Sequence, residues 1–355
     1  MKKGLLLFLS LVLLLTGYCA AAEETVIPYR EAENIQPETT ENNPVIEGES
    51  PLTGLPASGE GYTPILLPLD NSPEGYPLWG VGEASLLFQV PLSENGSTRL
   101  LALFGDDYPE QCGPIRSGRM TMLPLARSFH AVFAYAGVPP VGHETIDVRH
   151  WLTEWSFRKP TRHYDLMGNR FRERVTFAKE PQNLSAHVQE LHQHLVERKL
   201  DFEVRSFLFT DVVLARGEAA SQISLRFFHR DNTALENTAS ACSFAWTEEK
   251  GYVRTSEAGE LTDRISGETV TFANIIVMRI GLEWTDDYPY YVSQMRGSGT
   301  AEIFQSGRYI QGSWVHATRP GRLIFLDENG QELTFQRGKS YIVLGDQRVV
   351  VSYQP

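Results

Sequence analysis

From Ser224 to Tyr353 the chain is a succession of short strand-prone runs. Ser224–Phe228, Tyr252–Thr255, Val270–Met278, Tyr309–Val315 and Tyr341–Leu344 are among them, with turns such as Ser306-Gly307-Arg308 and Glu328-Asn329-Gly330 between several. A chain that turns back every few residues cannot build long helices. Its apolar side chains are buried by laying hairpin on hairpin, which predicts an antiparallel sandwich or a partly open barrel.

The preceding part reads differently. Ile65 to Leu69, Ala84 to Val90 and Arg99 to Phe104 are strand-like, whereas Arg119 to Phe129 reads as a helix. A second helix is expected from Ser185, a good N-cap, because Leu184, Val188, Leu191 and Leu195 recur at helical spacing. The fold class expected is α+β, with a mixed α/β N-terminal domain over 51–200, a linker region over 201–220 and an all-β C-terminal domain over 221–355. A chain of 355 residues exceeds one ordinary core, in keeping with two.

The first residues are of another kind. Lys2 and Lys3 precede the apolar run Leu5 to Leu15, which is shorter than the ~18–20 residues of a membrane-spanning helix. This is a secretion leader over 1–22. Thr16-Gly17-Tyr18-Cys19 resembles a bacterial lipobox with Cys19 as the lipidated residue, although Tyr18 stands where a small residue is usual. Cleavage after Ala22 is the competing reading. Either way the protein works outside the cytoplasm, attached to the cell membrane through the lipid or secreted. From Glu23 to Ser50 eight acids face Arg30 alone, and this Pro- and Asn-rich stretch is expected to be a disordered acidic tether. The net charge of −12 excludes nucleic-acid binding through phosphate neutralisation and gives no reason to cling to anionic lipid. The lipid is then the only link to the membrane.

The chemistry concentrates in Cys112-Gly113-Pro114-Ile115-Arg116-Ser117-Gly118-Arg119. Gly-Pro makes a turn, and Ser117 can cap the expected helix, whose free N–H groups attract anions. Arg116 and Arg119 beside such a terminus, with Arg99 one strand earlier, form a candidate cradle for carboxylate or phosphate. The opposing reading is an internal ion-pair network with acids such as Asp70, Asp106, Asp107 and Glu110.

These motifs carry a resemblance. Pro51-Leu52-Thr53-Gly54-Leu55-Pro56, Asp70-Asn71-Ser72 before Tyr76-Pro77, Ser97 to Phe104 and Gly113 to Arg119 follow one another as in the YerB-like family of bacterial lipoproteins. The later motifs agree, from Phe272-Ala273-Asn274 through Gly312-Ser313-Trp314 to Asp327-Glu328-Asn329-Gly330. The resemblance covers nearly all of 51–355 and implies an envelope location and paired N- and C-terminal domains of unknown function, with no established reaction. Tyr135 and Gln182 stand where relatives carry histidine.

The candidate ligand-binding set is therefore Asp70, Asn71, Arg99, Arg116, Ser117, Arg119 and Asn183. The expected function is a non-catalytic binding module for an anionic cell-wall ligand or an envelope protein, with no cofactor and no metal. His187, Glu190 and His194 share a helical stripe, but the two histidines stand about 10.5 Å apart in rise, too far to share one ion. Two alternatives remain open. One is an envelope hydrolase or transpeptidase that uses Cys112, with His130 or His143 as base, or a carboxylate pair such as Asp106-Asp107 or Asp286-Asp287. The other is a scaffold for wall-synthesis enzymes. Cys112 packed in the core would favour the binder, and Cys112 in a cleft beside a histidine the enzyme.

Overall fold

One mixed sheet of eleven strands crosses both halves of the sequence. The structure, a computed structural model, describes residues 23–30, 45–93, 96–139, 147–229, 231, 233, 239–285, 288–293, 295–317 and 321–355. The leader with Cys19, His143 and Asp286-Asp287 lie outside these residues.

The strand Ser340–Gly345 lies at the heart of the sheet. It pairs in parallel with Asn274–Arg279 on one side and with Leu86–Pro91 on the other. Outward from Asn274–Arg279 come Gly297–Gln305 and Arg308–His316, both antiparallel. Outward from Leu86–Pro91 come Thr98–Phe104 and Ile65–Leu69, antiparallel, then Val132–Tyr135 and His163–Asp165, parallel. The inner strands are mostly apolar, Ile65–Leu69 and Asn274–Arg279 being buried at every position. Strands covered on both faces read this way, because each alternate side chain enters one of two cores.

Those two cores are separated by the sheet. Leu67, Leu87, Ala102, Val277 and Val343 enter one. Leu66, Phe88, Leu101, Ile276 and Ile342 enter the other. The first is closed by a second sheet, ordered Thr25–Val26, Val349–Gln354, Gln222–Phe227, Cys242–Thr247, Gly251–Ser256 and Gly259–Glu260. The helix Val188–Glu197 helps to close it through Val188, Leu191 and Leu195. The second core is covered by the short helices Leu123–Ser128 and Val148–Glu154.

Strand predominates and helices are few, as the hairpin pattern requires. Several expectations change. The C-terminal half is not a self-contained antiparallel sandwich, because Ser340–Gly345 is paired in parallel on both sides and one of its partners lies before residue 100. The stretch 201–220 is no open linker. Phe207 is buried and stacks on Phe335 with ring centres 4.5 Å apart, and Leu208–Thr210 pairs with Thr334–Gln336. Of the acidic stretch 23–50, residues 31–44 lie outside the described residues, and its first segment is docked rather than free. Thr25–Val26 adds a strand to Val349–Gln354, and Ile27 donates its N–H to Val351 at 2.9 Å. The sequence Thr-Val-Ile supplies what an open sheet edge accepts. Two helix starts also move. The first α-helix begins at Leu123 after a single turn over Met120–Met122, and the third begins at Val188.

Candidate functional site

The segment 112–116 is extended, and it is threaded between two others. Asp70 donates its N–H to the Pro114 carbonyl at 2.9 Å, and Arg116 donates its own to Pro68 at 2.8 Å. On the other side Cys112 and Ala186 exchange backbone bonds, and Ile115 donates to Leu184. Ladder bonds on both sides outweigh the turn that Gly113-Pro114 suggested. Ser117 therefore caps no helix. Ser185 does not cap one either: it lies in the strand Leu184–Ala186, where its hydroxyl accepts from Trp79 Nε1 at 2.9 Å.

This threading brings Arg116 to the end of Ile65–Leu69, beside Asp70. Arg116 donates to Asp70 Oδ2 through Nε at 2.8 Å and also through Nη2. Arg99, across the neighbouring strand, donates through Nη1 to Oδ1 at 3.1 Å, and the Ser72 N–H reaches the same oxygen. The carboxylate is fully buried, whereas the Arg99 and Arg116 side chains keep 16% and 21% of their exposure. One anion thus holds two cations, leaving net charge +1. Arg116 Nη1 has no partner among the described residues.

Behind this cluster a chain of buried polar groups joins the two halves. Asn71 accepts from Tyr76 Oη at 2.6 Å and donates to Thr98 at 2.7 Å. Gln89 donates to Thr98 and to the Ser240 carbonyl, and it accepts from Tyr341 Oη at 2.6 Å. The network ends on Arg254, fully buried, which donates to Tyr341 Oη, Tyr76 Oη and the Ala239 carbonyl. Sequence reasoning passed over Arg254. The signal was present, since it occupies an inward position of Gly251–Ser256 in step with Tyr252. Buried cations of this kind are kept only with a full set of acceptors.

The structure divides the residues singled out from sequence. Asp70, Asn71, Arg99 and Arg116 come together. Arg119 is buried elsewhere and donates to the Gly118 carbonyl at 3.0 Å. Asn183 accepts from Arg174 at 2.6 Å. Ser117 is half-buried on the extended stretch whose neighbours bond to Ala136 and Gly137.

Cys112 is fully buried, and burial pushes its thiol well up, followed by the charges of Asp263 and Glu83. A nucleophilic thiolate needs the opposite. Cys242 is likewise a buried free thiol, so the two are not paired. His130 contacts Glu203 and Phe202 and not Cys112. Asp106 is buried and accepts from Ser50 and Ser85, a structural engagement. His187 pairs with Glu190, while His194 lies against Tyr164 and Phe171. Among the described residues no group of three metal-ligating side chains is assembled.

Fold and site together define a sheet-rich protein in which an Asp70-centred arginine pair joins a buried network spanning both halves. The chain belongs to the family described as Protein of unknown function (DUF3048), whose N-terminal domain matches residues 52–201 and whose C-terminal domain matches 233–342. It is similar to "Putative lipoprotein YerB" of Bacillus subtilis (strain 168), at 24% identity over 299 residues, 83% of this chain and 85% of that protein. The crystal structure of YerB protein from Bacillus subtilis has the same fold, with TM-score 0.67 and 22% identity, over 85% of this chain and 99% of that one.

Proposed function

We propose that this protein is an extracytoplasmic lipoprotein, anchored through Cys19, that acts as a non-catalytic binding module for an anionic envelope ligand. The observation that carries the reading is the Asp70 cluster. A buried carboxylate pre-orients two guanidinium groups, one of which keeps a free donor edge at the surface. Pre-oriented, partly desolvated arginines bind carboxylate or phosphate without ordering long side chains at the moment of binding. The relative's lipoprotein name supports the anchor. With Thr25 docked on the second sheet, the six residues from Cys19 to Thr25 span at most about 21 Å. The sheet edge at Tyr353 is then held close to the bilayer.

Arg116→Lys tests the ligand role. Lysine keeps a charge for Asp70 but loses the planar fork. The fold is expected to persist, with binding to soluble anionic wall fragments weakened about 10-fold or more, the worth of a charge-assisted hydrogen bond. Unchanged binding in a folded variant overturns the reading.

A second reading, docking of another envelope protein, has its own support. Val212 and Val213 are exposed, and Val213 lines a groove with Leu55 and Trp246. If Val213→Asp releases an envelope protein that co-purifies with the wild type, this reading is favoured.

A further inference from the structure

A second concave site lies away from the Asp70 cluster. It is a cavity of about 240 Å³ between the end of the helix Leu123–Ser128, the segment 155–162 and the residues around Glu203. Four cations line it: Arg127, Lys159, Arg162 and Arg205. Glu203 is the acid of its lining, and it is engaged by Arg205 at 2.7 Å.

Arg162 is the group that demands explanation. Its side chain follows the strand-forming segment into the wall, where only 9% of the residue is exposed. Nη2 donates to the Asp201 carbonyl, and the guanidinium lies 4.8 Å from the centre of the Phe202 ring. Nη1 is buried with no hydrogen-bond partner, and no carboxylate among the described residues forms an ion pair with Arg162. A guanidinium cannot escape the cost by losing its proton. Burial lowers the Arg162 pKa, and the charge of Asp201, which forms no ion pair with it, only partly offsets that cost. Arg162 lines the cavity, so an anion held there adds a counter-charge beside that of Asp201.

The rest of the wall is suited to the same guest. His130 has a left-handed backbone, φ 52°. Its Nδ1 accepts the Glu203 N–H at 2.7 Å, so the neutral ring carries its proton on Nε2. Burial, then Arg162 and Arg205, keep that ring neutral at ordinary pH. Trp155 and Phe157 supply apolar surface for the uncharged part of a ligand.

We infer that this cavity is a binding site for a small organic anion, a carboxylate or phosphate on a compact apolar or aromatic body, with Arg162 as its charge partner. The site is independent of the Asp70 cluster, so either can fail alone.

The test uses the full folded chain with benzoate, phenyl phosphate and the neutral benzyl alcohol as probes, read by calorimetric titration and by Trp155 fluorescence. One of the two anions is expected to bind, the better one identifying the head group, and at least 10-fold more tightly than benzyl alcohol. Arg162→Met is expected to remain folded and to lose 10-fold or more in affinity. Should that variant not fold, Lys159→Ala, at an exposed position, is expected to weaken the anion about 3-fold. Failure of both anions to bind, binding of benzyl alcohol equal to theirs, or full affinity in every folded variant overturns the proposal.

Discussion

Asp70 is a fully buried carboxylate at the end of a central strand, and two arginines depend on it. Removing one member of such a group strands the opposite charge at a cost of roughly 3–5 kcal/mol, a large share of a domain's stability. Asp70→Asn, nearly the same size, is therefore expected to lower the unfolding free energy by that amount, read as a lower urea midpoint with the slope unchanged. Arg116→Ala should fall short of it, because Arg99 still neutralises Asp70. His130 gives a pH dependence of known sign. Its pKa is lowered from 6.5 to about 4 by burial first, then by Arg162, Arg205 and Arg127, with Asp201 opposing. The unfolded chain thus binds the proton more readily, so this stability is fully present above about pH 6.5 and is lost as pH falls toward about 4. Denaturation measured across that window should show the decline. His130→Asn, which tolerates the same backbone, should reduce the slope without abolishing it, since His163 and His192 are lowered by burial as well.

At the scale of the element, the segment 112–116 shows how local signals are overridden. Gly113-Pro114 reads as a turn and Ser117 as a cap, yet the backbone runs extended because Pro68, Asp70 and Leu184 offer it bonds on both sides. Those partners lie about 45 residues before and 70 after, beyond any local pattern. What requires glycine at 113 is not a turn but a close approach that the fold creates. A Cβ there would stand 2.5 Å from the Trp79 ring and 2.8 Å from the Leu184 carbonyl oxygen. Trp79 cannot yield easily, being bonded to Ser185. Gly113→Ala is expected to cost about 1–3 kcal/mol by overpacking, read as a lower melting temperature. Cys112 beside it is expected to be inert to thiol reagents in the native protein and reactive in urea. Labelling of Cys112 at the rate of an exposed thiol without denaturant would contradict its burial.

At the scale of the molecule, the two halves share a sheet and both cores. The fragment 221–355 lacks Leu86–Pro91, so it would expose an edge of Ser340–Gly345 and one side of each core. It is expected to give no dispersed NMR spectrum, whereas the whole chain should unfold in one transition with equal calorimetric and van't Hoff enthalpies. A folded fragment would show that the shared sheet is dispensable.

The sequence determined by itself the hairpin-rich strand content of the C-terminal half, because period-two alternation and turn chemistry are local, whereas it led to more helix in the N-terminal half than the few short helices observed. It also placed Asp70, Asn71, Arg99 and Arg116 in one candidate set, since three of them flank or lie on adjacent strands. Strand partners are not local. Nothing within Ser340–Gly345 says that it pairs with Leu86 rather than with a neighbouring hairpin, although its unbroken apolar run fits a strand buried on both faces. Tertiary structure alone set Asn183 against Arg174 and brought Arg254 to the end of the buried network behind the cluster. It also closed a cationic cavity from Arg127, His130, Arg162 and Arg205, residues spread over some 80 positions that meet only because burial of both sheet faces brings their segments together.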